Sequence, residues 1–194
     1  MAQHETQHLD PRAPLVLDTR DLPRRPGAMR TVTRTVGAPK DLGLELIGVP
    51  EGDDVQLDLR LESVSEGVLV SGTITAGVVG ECGRCLLPLD ETLSVPVQEL
   101  FPYENSTTDE TTDDDEVGRI RGDLIDLEPT VRDAVVLALP VNPLCQEDCP
   151  GLCPGCGVRW DKLPESHSHE RLDPRWAALS KLTGTTPVEP GEPA

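Results

Sequence analysis

Residues 54 to 63 read DVQLDLRLES. Val55, Leu57, Leu59 and Leu61 fall on one side, and Gln56, Asp58, Arg60 and Glu62 on the other. A period of two is the pattern of a strand with one face buried. The turn SEG follows, and then VLVSGTITAGVV at 68–79, where Val68, Val70, Ile74 and Val78 share a face and β-branched residues are enriched. Upstream, DLGLELIGV at 41–49 puts Leu42, Leu44 and Leu46 on one side. Downstream, TLSVPVQEL at 92–100 turns Leu93, Val95 and Val97 inward. Pro96 has no N–H to donate, which places that strand at an edge or a bulge. Successive strands with short turns predict an antiparallel sheet or small barrel over 41–101.

Helices flank this sheet in the sequence, so the expected class is α+β, with one or two helices covering the strands. In DLIDLEPTVRDAVVLALP, Pro129 suits a first helical position, Val131, Ala134, Val135 and Ala138 make an apolar stripe, and Pro140 ends it. This predicts a helix over 129–139. DPRWAALSKLTG predicts a C-terminal helix over 174–183, with Asp173 as N-cap, Gly184 as stop, and Trp176 and Leu179 packing inward. The whole reads as one domain over 14–182, with disordered ends at 1–13 and 185–194. Residues 104–117 carry seven acids and no base and read as a solvated loop.

The bulk composition limits what the chain can do. Aromatic residues make up 2% of 194, so the core must be aliphatic. The formal net charge is −18. Nucleic-acid binders draw most of their affinity from Lys and Arg at phosphates, so a basic protein partner fits better. The local exception is residues 20–40, with six basic residues against Asp21. These read as a solvated, flexible arm, the alternative being an RNA contact through Arg24, Arg25, Arg30 and Arg34. No apolar run reaches membrane-spanning length and no signal-peptide core is present, so the expected compartment is the cytoplasm.

The chemistry lies in NPLCQEDCPGLCPGCGVRW, 142–160, which holds four of the six cysteines. Disulfides, a metal and redox chemistry are the candidate explanations. A reducing cytoplasm argues against a disulfide framework. Prolines and glycines forbid a helix here, so 142–160 is a string of turns. Cys153-Pro-Gly-Cys156-Gly has the form of a zinc knuckle, and Cys82-Gly-Arg-Cys85 offers a second pair at a strand end. His167 and His169 in PESHSHE can replace sulfur. Eight candidate ligands thus stand in four pairs. By sequence order Cys82, Cys85, Cys145 and Cys149 form one tetrahedral site, and Cys153, Cys156, His167 and His169 the other; other groupings remain open. The expected cofactor is structural Zn2+. Cys82-Gly-Arg-Cys85 also has thioredoxin-like spacing, but no helix start follows it, as redox catalysis would need. No phosphate loop, serine elbow or helix-borne His pair is present, and the chain reads as non-enzymatic.

CGRCL at 82–86, DLIDLEPTVRDAVVLALPVNPLC at 123–145, CPGLCPGCG at 149–157 and LDPRWAALSKL at 172–182 occur in that order. Together they resemble the bacterial YceD family, described as large ribosomal RNA subunit accumulation proteins. Many of its members carry Cys-x-Cys where this chain has His167-Ser-His169, a swap that keeps metal competence. The resemblance implies ribosome biogenesis: support of 23S rRNA accumulation and large-subunit assembly. Joined to the charge, it predicts a non-catalytic adaptor for a basic ribosomal or assembly protein of the large subunit. Direct 23S rRNA binding through residues 20–40 is the alternative, and a thiol-disulfide oxidoreductase the third reading.

Overall fold

The structure is a computed structural model that describes residues 9–104, 106–107 and 118–169. The expected C-terminal helix at 174–183, the tail at 185–194, residues 1–8 and most of the acidic loop lie outside them. Of the N-terminal stretch, residues 9–13 are described, and the Ala13 N–H donates to the Asp10 carbonyl at 3.0 Å. The chain divides into two compact units, Met1–Cys149 and Pro150–Ala194.

Among the described residues, the first unit is mostly antiparallel sheet with one helix. Its strands are β1 (Val16–Asp18), β2 (Met29–Gly37), β3 (Leu42–Gly43), β4 (Ile47–Val49), β5 (Asp54–Ser63), β6 (Gly67–Glu81), β7 (Pro88–Pro102), β8 (Ile120–Arg121) and β9 (Leu124–Asp126). The larger sheet runs β2-β5-β6-β4-β3, with β7 along the other side of β6, and curls into a half-barrel. A smaller sheet runs β1-β9-β8. The helix α1, Glu128–Ala138, packs on β7 and β3.

Alternation in β5 becomes burial without exception: Val55, Leu57, Leu59 and Leu61 are all core residues. Val68, Val70, Ile74, Ala76 and Val78 of β6 join them, with Phe101 from β7. Each such side chain contributes about 1.5–3 kcal/mol by leaving water. Pro96 sits in β7, which among the described residues pairs only with β6, so the missing donor falls on an edge strand, one of the two expected places. In α1, Val131 and Val135 are buried and Ala134 packs against the core, while Ala138 is exposed.

Two expectations need correcting. Leu42, Leu44 and Leu46 do not share a strand face. The chain reverses between β3 and β4, with the Leu44 N–H on the Ile47 carbonyl at 2.8 Å, so Leu42, Ile47 and Val49 are the core residues there. Nor is 20–40 a free arm: β2 occupies 29–37 and pairs with β5 from Met29↔Glu62 to Gly37↔Asp54. Its strand signal is masked because Arg30 and Arg34 alternate with Thr residues where apolar residues are usual. Their guanidiniums donate to the Asp18 and Val16 carbonyls at 3.3 and 3.1 Å. The paired chain therefore extends well before residue 41.

Candidate metal centre

The strand pair β6–β7 ends in the turn that carries Cys82 and Cys85. The Cys82 N–H donates to the Leu87 carbonyl at 2.8 Å, and the Leu86 N–H returns to the Cys82 carbonyl at 2.9 Å. Both pairings extend the β6–β7 ladder into a knuckle that points its two thiols the same way. Gly83 fits because its N–H reaches the Pro143 carbonyl at 2.8 Å and a Cβ there would lie 2.2 Å from Asn142 Oδ1. That approach brings in the segment carrying Cys145 and Cys149. Arg84 fastens it, donating to the Cys149 carbonyl at 3.0 Å.

The result is four sulfurs, those of Cys82, Cys85, Cys145 and Cys149, within 4.8 Å of one another. Cys82 and Cys149 stand 3.8 Å apart, and Cys85 and Cys145 3.6 Å. A disulfide needs about 2.0 Å, so these are free thiols gathered around one point. Burial pushes the Cys82 thiol up, but N–H groups of Cys145, Arg84 and Cys85 on its sulfur outweigh that, and it sits at about 6. Cys145 is pushed up to about 12, by desolvation first and then by its thiol neighbours Cys85, Cys149 and Cys82. Four thiolates this close repel one another, and a cation is what would let all four ionise. Soft sulfur donors in this number suit a metal ion.

The second unit repeats the knuckle on a different support. The Cys153 N–H donates to the Val158 carbonyl and the Gly157 N–H to the Cys153 carbonyl, both at 2.8 Å. These are the same two bonds, at the same spacing, as in the first knuckle. A bridge between Leu152 and Arg159 and a short 3-10 turn, Trp160–Lys162, carry the chain onward. His167 is positioned by its N–H on the Pro164 carbonyl at 2.9 Å. Its Nε2 stands 3.5 Å from the Cys153 sulfur and 3.6 Å from that of Cys156. The ring of His169 lies over Gly155, where a Cβ would come within 2.1 Å of its Cδ2. Cys153, Cys156, His167 and His169 thus offer donor atoms within 4.8 Å of one another. Cys153 matches Cys82 in its electrostatics too: burial raises it, N–H groups of Gly155 and Cys156 and the His167 ring lower it, and it sits at about 6.

All eight candidate ligands are therefore brought together, in the two sets that sequence order suggested, and each set could hold a metal ion. The turn does not start a helix at Cys82, and β7 follows it. What the sequence hid is the supporting shell: Asn142, the Pro143 carbonyl and Arg84 carry no motif. It also hid Leu86, which has φ 58° where the second knuckle has Gly157 at φ 71°. A non-glycine residue in the left-handed region costs about 1–2 kcal/mol.

The chain matches the family described as "Large ribosomal RNA subunit accumulation protein YceD" over residues 70–183. It is 53% identical to uncharacterized protein Rv2926c of Mycobacterium tuberculosis over 172 residues, 89% of this chain and 83% of that one. Uncharacterized protein ML1660 of Mycobacterium leprae is 45% identical, over 88% of this chain and 78% of its own length. Uncharacterized protein YlbN of Bacillus subtilis is 31% identical, over 66% and 73%. No solved structure matches. With cysteine knuckles at 82–85 and 153–156 inside the matched span and relatives aligned over most of their length, the chain is a member of the YceD family.

Proposed function

We propose that this chain is a ribosome biogenesis factor that supports 23S rRNA accumulation and large-subunit assembly without catalysing a reaction, as a zinc-braced adaptor for a basic protein. The observation that carries the zinc assignment is the donor geometry. Zn–S bonds of about 2.3 Å around a tetrahedron put sulfurs about 3.8 Å apart, and one Zn–N bond of about 2.0 Å shortens the S···N edge to about 3.5 Å. Two S···S edges of the first set are 3.6 and 3.8 Å, two S···N edges of the second are 3.5 and 3.6 Å, and all donors of each set lie within 4.8 Å of one another. Four protein donors per set leave no open position of the kind a catalytic zinc requires. Bound zinc would supply cross-linking, fixing the turns of each set.

The family's description as a large ribosomal RNA subunit accumulation protein supplies the ribosomal setting. The net charge of −18 favours a basic protein over RNA as the direct contact. The cations of 20–40 support this, because most serve the chain itself. Arg20 grips Asp18, and that bond first of all holds the carboxyl at about 2. Arg24 pairs with Asp123 at 3.0 Å and lies over the Tyr103 ring, while Arg30 and Arg34 hold β1 carbonyls. Direct rRNA contact would have to compete with these bonds for the same guanidiniums. Purification of the tagged chain from its own cells, with and without RNase, tests the adaptor. RNase-resistant recovery of large-subunit proteins is expected, together with loss of 23S rRNA on deletion. Recovery that vanishes with RNase turns the reading to RNA.

A further inference from the structure

We infer that the tip of the β6–β7 hairpin, with Leu86 at its point, is the surface on which this chain docks an apolar pocket of a basic protein. The inference rests on the adaptor reading and names its contact. The two knuckles make the same backbone bonds, and the second closes its turn with Gly157. Glycine would close the first turn equally well and without strain. Leu86 stands there instead, in the left-handed region, with 57% of its surface exposed and no place in the core. Among the described residues Leu86 has no place in the core that would offset the strain, and residues held this way gather at binding sites. On the outward face of the same hairpin Val79 is 45% exposed, in register with Asp90. Glu81 and Asp90 on that face are exposed as well, while the Arg84 guanidinium in the turn is held by the Cys149 carbonyl. An apolar point backed by carboxylates on one face matches a pocket flanked by Lys or Arg, where the buried anchor gives affinity and the charges give orientation. A metal held by the sulfur cluster beneath would brace the tip, which reduces the ordering cost of binding.

The probe is the total protein of purified large ribosomal subunits, freed of RNA and passed over the immobilised full-length chain. The wild type should retain a basic ribosomal protein, identified by mass spectrometry and then titrated in pure form. Leu86→Gly should weaken that binding at least tenfold while metal content stays the same and the melting temperature is unchanged or higher. Leu86→Asn, which also tolerates the left-handed region, should behave alike and serves if the glycine variant loses metal. Leu137→Ala, at an exposed leucine on α1, should bind as the wild type does. Equal binding by the Leu86 variants overturns the inference and leaves the adaptor standing. Retention of nothing by the wild type overturns both. Self-association abolished by Leu86→Gly overturns the inference by making a second copy the occupant.

Discussion

The two knuckles share a backbone and differ in what stands behind them. Cys82 and Cys85 extend a ladder of two 15-residue strands whose inner faces are filled with aliphatic side chains. Cys153 and Cys156 sit in a segment where, among described residues 150–169, only Gly151 and Cys153 are buried. The first set is grafted onto a sheet with an aliphatic core of its own. Among the described residues the second has no such core, so a bound metal would carry more of its stability. The same knuckle would act as a clasp on the first support and as the main brace on the second.

Metal removal gives the largest separation of these roles. Structural zinc is worth about 10–16 kcal/mol to a knuckle that folds around it. Strong chelation, or Cys153→Ser, should open 150–169 to proteases while the β-sheet circular dichroism persists. Simultaneous melting of the sheet would erase the distinction. Leu57→Ala tests the other side. It removes a core side chain of β5 and should lower sheet stability by about 2–5 kcal/mol in denaturant titration, with the metal content of the second set retained. Loss of that metal would mean the sheet supports both sets.

Smaller changes probe the supporting shells. Gly155→Ala puts a methyl into the His169 ring, and Gly83→Ala puts one against Asn142. Each should weaken its own set about 10–100-fold in metal competition assays and leave the other set untouched. Cross-effects would couple the sets. The finest test gives the second knuckle the side chain of the first. Gly157→Leu, at φ 71°, should cost about 1–2 kcal/mol, read as a lower melting point of the metal-loaded second unit. No cost would show that the left-handed position is unstrained in this turn, and would remove the reason to ask why Leu86 stands in the other.

Much of this was written locally. The alternation of Val55 to Leu61 fixes which side of β5 is buried, because side chains alternate whatever the strand pairs with. The knuckle Cys153-Pro-Gly-Cys156-Gly is likewise local, since five residues make its turn. Pro96 announced an edge because a residue without an N–H cannot serve a ladder on both sides. The pairing of Cys82 and Cys85 with Cys145 and Cys149 could only be suggested by order along the chain. It depends on Gly83 admitting Asn142 across about sixty residues of sequence, a contact with no periodicity to betray it. The strand at 29–37 was concealed for a similar reason. Arg30 and Arg34 look like solvent-facing charge until their partners, the carbonyls of Asp18 and Val16, are brought beside them. Sequence alone determined local periods, turns and ligand types, because those depend on near neighbours. Tertiary structure alone decided which turns meet and which charges are satisfied, because a hydrogen bond between distant segments is specified by both at once.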